Sequence, residues 1–115
     1  MLFFDPILFF NVKKSCASCH RPEKAFTDQR TVSGASAFSE NLDRNAPSLI
    51  NLDKENTYFH DGRSNSLDNV IKSVFENPKE FNCNYALIIE RLKKFDEYKY
   101  LFLQAFMLSD PSFFC

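Results

Sequence analysis

Cys16-Ala17-Ser18-Cys19-His20 is the stretch of this chain that decides its fold. The C-x-x-C-H pattern is the attachment site of a c-type haem, where each thiol adds to one vinyl group and the adjacent imidazole is the proximal iron ligand. Two thiols three positions apart lie on nearly one side of a helical turn, so both can face one edge of a macrocycle. We therefore expect one covalent haem c held by Cys16 and Cys19, with His20 on the iron.

Three other uses of this cysteine pair have to be weighed against haem. A zinc site needs four ligands. Cys16, Cys19, His60 and Cys83 could supply them, but their spacing matches no common zinc module. A thioredoxin-type redox pair accompanies a βαβ pattern, which the sequence lacks. A Cys16–Cys19 disulfide would close a very small loop and leave His20 unexplained. Haem is favoured over all three.

Length and composition fit one small domain over residues 1–115. The chain has 14 Phe and 4 Tyr but no Trp, which suits a Phe-packed core and apolar walls for a haem. The net charge is −1, and charged residues of both signs are interspersed. Because no basic stripe is present, nucleic acid is excluded as a partner.

The sequence contains no apolar stretch long enough to span a bilayer. The first ten residues are apolar but lack the basic region of a signal peptide. Covalent haem attachment implies export to an oxidising compartment. We therefore expect a periplasmic protein whose natural N-terminus is missing from this chain.

Helical patterns dominate the rest of the chain. Ser15 is a candidate N-cap for a short helix carrying the haem motif, and residues 27–47 are expected to form a long irregular loop that walls the haem. Three further helices are expected after the caps Ser66, Asn84 and Asp96, the first ending at Asn77-Pro78. Their predicted buried stripes are Leu67, Val70, Ile71, Val74 and Phe75; Tyr85, Ile88, Ile89 and Leu92; and Leu101, Phe102, Ala105 and Phe106. No segment alternates with period two, so the sequence predicts an all-α, c-type cytochrome-like haem domain with short helices and long loops.

Six blocks in order give the chain a family resemblance. They are Leu2-Phe3-Phe4-Asp5-Pro6, Ser15-Cys16-Ala17-Ser18-Cys19-His20, Lys24-Ala25-Phe26-Thr27-Asp28, Arg44-Asn45-Ala46-Pro47-Ser48-Leu49, Phe59-His60-Asp61-Gly62-Arg63 and Glu76-Asn77-Pro78-Lys79-Glu80. The chain resembles the N-terminal, peroxidatic haem domain of the bacterial di-haem cytochrome c peroxidases, a group that includes the MauG-like enzymes. Members have a second haem domain, so this chain is expected to be a fragment or to work with a separate partner.

The resemblance implies roles for three residues besides the haem motif. Glu80 takes the place of the family's catalytic glutamate, a general acid/base that moves a proton between the peroxide oxygens; on sequence alone it could equally be a solvated residue between helices. Arg63 lies where the family keeps an arginine near the haem, to pair with a propionate, although a surface salt bridge fits as well. Asn45 aligns with a residue that helps to hold an interdomain calcium ion.

The chain departs from the family pattern at three places. His60 stands where many members have a Trp on the electron path between the haems; it could bridge by hydrogen bonds, serve as a surface residue or bind the iron. Val70 replaces a common glutamine. Residues 21–59 contain no His, so we expect an open or water-bound sixth iron position. Met107 is the other conceivable ligand, but its apolar surroundings favour core packing.

The resemblance implies an enzyme, a cytochrome c peroxidase that reduces hydrogen peroxide to water. Its electrons would come through a second haem domain or from a separate c-type cytochrome or cupredoxin. The alternative is a mono-haem c-type electron-transfer module without peroxidase activity. The complete protein could be a homodimer, and the termini Phe9-Phe10 and Phe113-Phe114 are expected to face the missing domain or a dimer partner.

Overall fold

The computed structural model describes residues 2–34 and 42–107. Three α-helices are present in this part: α1 (Leu67–Glu76), α2 (Tyr85–Lys93) and α3 (Asp96–Ala105). Short 3-10 turns occur at Leu2–Phe4, Pro6–Leu8, Cys16–Ser18, Pro22–Lys24 and Leu52–Lys54. The described residues form no strand, only two isolated bridges, so the predicted all-α class is confirmed.

The chain separates into two compact units, Met1–Cys83 and Asn84–Cys115. The expectation of one domain over 1–115 therefore stays a prediction. None of the helices described is both long enough and apolar enough to cross a bilayer.

The core of the first unit begins at the N-terminus. Asp5 caps the second 3-10 turn, because its Oδ1 accepts a hydrogen bond from the Ile7 N–H at 2.8 Å. The buried apolar residues of this unit are Ile7, Leu8, Phe9, Ala46, Phe81 and Cys83. Phe9 is only 3% exposed, so its expected place on an outer surface was wrong. Its ring packs edge-on against Phe81, with centroids 5.4 Å apart. The other expected apolar terminus, Phe113-Phe114, lies outside the described residues.

Helix α1 begins as its sequence predicts. The Ser66 hydroxyl accepts from the Asn69 N–H at 3.2 Å, and Pro78 follows the residue after the helix. The predicted burial of the apolar stripe was wrong for Leu67 and Ile71, which are 36% and 47% exposed, and Val70, Val74 and Phe75 are only half-buried. Periodicity identifies an apolar face but not how much of it meets the core, and here the C-terminal end of α1 packs, through Phe75.

The second unit is a helix pair in which α2 packs against α3. Asn84 caps α2 as predicted, accepting from the Leu87 N–H at 2.9 Å. Ile88 and Leu92 are buried, whereas Tyr85 and Ile89, predicted on the same stripe, are exposed. One helix partner covers only part of the stripe.

Helix α3 differs from the prediction in its cap and its buried face. Phe95, not Asp96, is the N-cap, so Asp96 is the first helical residue. Tyr98 is the buried residue of this helix. The predicted burial was wrong for Leu101, Ala105 and Phe106, which are all exposed, and Phe102 is half-buried. Met107 is 95% exposed, so its predicted core packing was also wrong. It lies two residues after the last residue of α3.

Candidate haem site

The C-x-x-C-H motif forms one tight turn. The Ser15 N–H donates to the Ser18 hydroxyl at 3.0 Å, which fixes the entry of the turn. The N–H groups of Cys19 and His20 both donate to the Cys16 carbonyl, at 3.2 Å and 2.9 Å. Both thiols are half-buried and neither forms a disulfide. The turn presents two thiols and an imidazole as separate ligands, which removes the Cys16–Cys19 disulfide alternative in this structure.

The imidazole of His20 is oriented by the backbone. Its Nδ1 lies 2.8 Å from the carbonyl oxygen of Phe26. Because a carbonyl can only accept, Nδ1 must carry the hydrogen, and Nε2 keeps its lone pair. A metal-binding histidine is usually held in this way by a hydrogen bond from its second nitrogen. His20 is therefore prepared to bind a metal through Nε2.

The Phe26 carbonyl is itself held in place. Ala25 and Phe26 both have left-handed backbone angles, with φ of 54° and 58°, which is costly for residues with a Cβ. The surrounding loop restrains them: the Ser48 hydroxyl donates to the Ala25 carbonyl at 2.6 Å, and the Thr27 hydroxyl donates to the Ala46 carbonyl at 2.7 Å. Two sequence blocks, 24–28 and 44–49, thus join to position one carbonyl behind His20.

Aromatic rings lie beside this turn. The 3-10 turn Leu2–Phe4 packs against Cys16–Ser18. Phe3 contacts Phe26 edge-on, with ring centroids 5.9 Å apart. The N-terminal block therefore supplies an apolar side to the motif.

The two thiols are shifted toward their neutral form. Burial raises the pKa of both Cys16 and Cys19. At Cys19 the positive charge of Lys14 lowers the pKa in part, whereas Asp28 and Glu80 raise it. Two carboxyl groups from separate segments, Asp28 and Glu80, therefore act on the same thiol.

Asp28 is an unexpected buried acid in this region. It is 4% exposed, and its Oδ1 accepts from the Arg30 N–H at 3.2 Å. Its Oδ2 has no hydrogen-bond partner among the described residues. A cavity of about 210 Å³ adjoins it, lined also by Cys19.

Glu80 lies in a half-buried turn that follows α1. Its Oε1 accepts a hydrogen bond from the Asn77 side-chain amide at 2.8 Å. Burial raises the pKa of Glu80, while the Asn77 hydrogen bond and the charge of Arg63 lower it in part. A carboxyl group with a raised pKa can carry a proton closer to neutral pH than an exposed one.

The turn of Glu80 is anchored on the core. The Cys83 N–H donates to the Phe75 carbonyl at 2.7 Å, and the Phe10 N–H donates to the Phe81 carbonyl at 3.2 Å. Phe81 also packs edge-on against Phe75, with centroids 5.4 Å apart. The turn of Glu80 is thus attached to packed aromatic rings.

Arg63 is presented by a hairpin-like turn. The N–H of Tyr58 donates to the Ser64 carbonyl at 2.7 Å, and Gly62 has a φ of 67° that a glycine adopts without strain. Arg63 stacks its guanidinium 3.5 Å from the Phe59 ring centroid and pairs with Asp61 at 2.9 Å. Its charge reaches Glu80, so the turn brings a cation toward the same region.

His60 and Asn45 meet at the surface. His60 is exposed, and its Nε2 lies 3.3 Å from the Asn45 carbonyl. Beside them Arg44 pairs with Asp61 at 3.2 Å. Desolvation acts to raise the pKa of Asp61, but the hydrogen bonds and charge of Arg63, together with Arg44, hold it below its usual value.

No group of three or more His, Cys, Asp or Glu side chains that could hold a metal ion occurs within residues 2–34 and 42–107. The four-ligand zinc alternative with Cys16, Cys19, His60 and Cys83 is therefore not assembled. Asn45 as a calcium ligand stays a prediction.

The donor set fits a c-type haem. Two thiols without a disulfide, an imidazole with Nε2 available and flanking aromatic rings lie on one turn and its neighbours. Sequence reasoning missed Asn77 and the Phe26 carbonyl. The sequence indicates Asn77 only as a helix stop, although its spacing from Glu80 is a local signal. The Phe26 carbonyl has no sequence signal.

Comparison with known proteins shows the family. The family model described as di-haem cytochrome c peroxidase matches residues 1–114. This chain belongs to the di-haem cytochrome c peroxidase family. The predicted resemblance is thereby confirmed.

Individual relatives are similar over nearly all of the chain. The methylamine utilization protein MauG of Methylorubrum extorquens is 34% identical over 96% of this chain and 31% of its own length. The cytochrome-c peroxidase IdrP2 of Denitromonas iodatirespirans is 36% identical over 84% of the chain and 27% of its own length. A solved structure of a MauG-like protein associated with microbial copper homeostasis has 32% identity and a TM-score of 0.83, covering 96% of this chain and 33% of that one. The chain thus spans about a third of the length of these relatives.

Proposed function

We propose that this chain is the peroxidatic haem domain of a periplasmic cytochrome c peroxidase, which reduces hydrogen peroxide to water with electrons from a c-type cytochrome or cupredoxin donor. The observation that best supports this is the half-buried Glu80 carboxyl, which accepts a hydrogen bond from the Asn77 amide at 2.8 Å and whose charge acts on the Cys19 thiol of the C-x-x-C-H motif. Family membership supports the same reaction. A protein that only transfers electrons has no need of a proton-carrying carboxyl at this place.

In this proposal Cys16 and Cys19 would hold one haem c through thioether bonds, and His20 would bind its iron through Nε2. Arg63 would pair with a propionate. When bound, the haem supplies the redox-active iron at which peroxide is reduced. The edge-on pair Phe3 and Phe26 lies beside the C-x-x-C-H turn and would give the haem an apolar contact there.

Glu80 moves the proton that the reaction requires. Its carboxylate accepts a proton from one peroxide oxygen and returns it to the other, which leaves as water when the O–O bond breaks heterolytically. The complete reaction consumes one peroxide, two protons and two electrons and yields two water molecules. Both electrons come from outside this chain, through a second haem domain or a separate donor protein.

The second candidate function, a mono-haem electron-transfer module, needs a sixth iron ligand. The two candidates are His60, whose Nε2 faces the Asn45 carbonyl, and Met107, which is fully exposed after α3. We therefore propose an open or water-bound sixth position. A low-spin bis-His or His/Met optical spectrum of the oxidised protein would favour the second candidate. His60 on an electron path and a homodimer of the complete protein also stay proposals.

The test is peroxide turnover by the complete two-haem protein with a reduced c-type donor. Glu80→Gln should lower the rate about 10²- to 10⁴-fold, the usual contribution of a general acid/base. Glu55→Gln, which neutralises an exposed carboxylate, is the matched control and should keep the wild-type rate. Wild-type turnover by Glu80→Gln would refute the assigned role.

Haem attachment is tested separately. After co-expression with a haem-maturation system, haem stain should migrate with the denatured polypeptide. The stain should be lost in the Cys16→Ser, Cys19→Ser double variant and retained in Cys83→Ala. A polypeptide without covalent haem would refute the proposal as a whole.

A further inference from the structure

Asn77 ends α1 and begins the turn that carries Glu80. Its own N–H donates to the Ser73 carbonyl at 3.0 Å, closing the helix. Its carbonyl accepts from the N–H groups of Glu80 and Asn82, both at 3.0 Å. The backbone hydrogen bonds of Asn77 therefore fix the position of the Glu80 backbone in the turn.

The side chain of Asn77 has only one possible orientation. One of its terminal atoms lies 2.9 Å from the Lys79 N–H, and the other lies 2.8 Å from Glu80 Oε1. A backbone N–H can only donate, so the atom facing Lys79 must be the amide oxygen. The amide NH₂ must then face Glu80.

This orientation makes the two oxygens of Glu80 unequal. Oε1 receives a donor that cannot itself accept a proton. When Glu80 is protonated, Oε1 is best satisfied as the carbonyl oxygen, and the proton belongs on Oε2. We propose that Asn77 is a positioning residue that reserves Oε1 of Glu80 and leaves Oε2 as the oxygen that takes up and releases the proton.

This inference rests on the proposed function of Glu80 but can be tested apart from it. The charge of Arg63 also acts on the Glu80 carboxyl. All the variants below keep Arg63, so its effect on Glu80 is the same in each of them. Cys19, whose thiol lies within the influence of Glu80, does not titrate once it is a thioether. A shift in the titration of Glu80 in an Asn77 variant can therefore be assigned to the changed side chain at position 77.

Asn77→Asp tests the proposal most directly, because it changes only the atom that faces Glu80. It keeps an oxygen for the Lys79 N–H and replaces the NH₂ donor by a second carboxylate oxygen. The proton of Glu80 should then be shared with Asp at position 77 and held to higher pH. Asn11→Asp is the matched control, because Asn11 makes the same turn, accepting from the Lys13 N–H at 3.2 Å.

The measurement is infrared titration of the haem-loaded protein, using the protonated-carboxyl C=O band that is absent in Glu80→Gln. The midpoint of this band should move to higher pH in Asn77→Asp and stay at the wild-type pH in Asn11→Asp. In the complete protein, peroxide turnover at neutral pH should fall about tenfold, with the acid limb of the pH profile moved upward. An unchanged midpoint in Asn77→Asp overturns the inference.

Asn77→Ser serves if the aspartate variant does not fold. Serine can still accept from the Lys79 N–H but is too short to reach Glu80. The C=O band should move to higher frequency, because a carbonyl that loses its hydrogen bond vibrates faster; an unmoved band overturns the inference. If Glu80→Gln kept full turnover, the proposed function would fail, but the band in these variants would still decide the role of Asn77.

Discussion

The Glu80 carboxyl makes the stability of the folded chain depend on pH. Its pKa is raised in the folded state, mainly by burial, so the folded chain binds this proton more tightly than the unfolded chain does. The contribution to stability is complete below the ordinary glutamate pKa and is lost as pH rises through the raised value.

Glu80→Gln has no titrating carboxyl at this position, so it should not lose stability as pH rises through this range. The free energy of unfolding of the variant, relative to wild type, should increase as pH rises from about 4 toward neutral and then level off. Urea unfolding at a series of pH values measures it. A flat difference for Glu80→Gln would contradict the raised pKa.

Gln29 carries backbone strain that a single substitution can relieve. Its φ is 55°, in the left-handed region that a side chain disfavours. Gln29→Gly keeps the backbone N–H that donates to the Thr27 hydroxyl and should raise the free energy of unfolding by about 1 kcal/mol. Urea unfolding is the measurement.

The matched control for Gln29 has an ordinary backbone. Glu55 is exposed with a φ of −87°, so Glu55→Gly should lower stability by about 0.5–1 kcal/mol. A loss of stability in both glycine variants would show that the left-handed angle at Gln29 costs nothing.

At the scale of elements, segments 24–28 and 44–49 together hold the strained turn that orients His20. The Thr27 hydroxyl donates to the Ala46 carbonyl at 2.7 Å and accepts from the Gln29 N–H at 3.2 Å. Thr27→Val keeps the shape and removes both bonds. We expect about 1–2 kcal/mol less stability in urea unfolding.

Thr31→Val supplies the comparison for this element. Thr31 is exposed, so the same chemical change should shift stability by less than about 0.5 kcal/mol. Equal effects of the two substitutions would mean that the Thr27 bridge does not hold the two segments together.

The same elements show why sequence predicts only part of the site. The caps Ser66 and Asn84 act on N–H groups three residues away, so the helix starts could be predicted locally. Ala25 and Phe26 adopt left-handed angles without glycine or asparagine, so no residue type signals the turn behind His20. Local hydrogen bonding is visible in sequence; restraint from a distant segment is not.

Burial was harder to predict for the same reason. The apolar periodicity of α1 was right, but exposure of Ile71 depends on which segments reach the helix. Glu80 itself came from family resemblance, and its raised pKa depends on burial, which the local sequence does not show. Sequence motifs thus predicted which side chains belong to the site, while tertiary packing determines their pKa values.

At the scale of the first unit, the N-terminal segment joins both halves of the site. Phe3 packs on Phe26, behind the haem motif, and Phe9 packs on Phe81, in the turn of Glu80. The segment between them is fixed by the Asp5 cap. The placement of the haem motif and of Glu80 therefore depends partly on an N-terminal segment that contains no predicted site residue.

Phe9 and Phe4 provide the matched pair that tests this. Phe9 is 3% exposed and Phe4 is 49% exposed, so Phe9→Ala should cost about 3–5 kcal/mol and Phe4→Ala less than about 1 kcal/mol. Urea unfolding measures both. Because Phe9 supports the turn 77–83, peroxide turnover of folded Phe9→Ala should also fall, while Phe4→Ala keeps the wild-type rate. Equal losses of stability in the two variants would show that the packing of Phe9 does not support the turn 77–83.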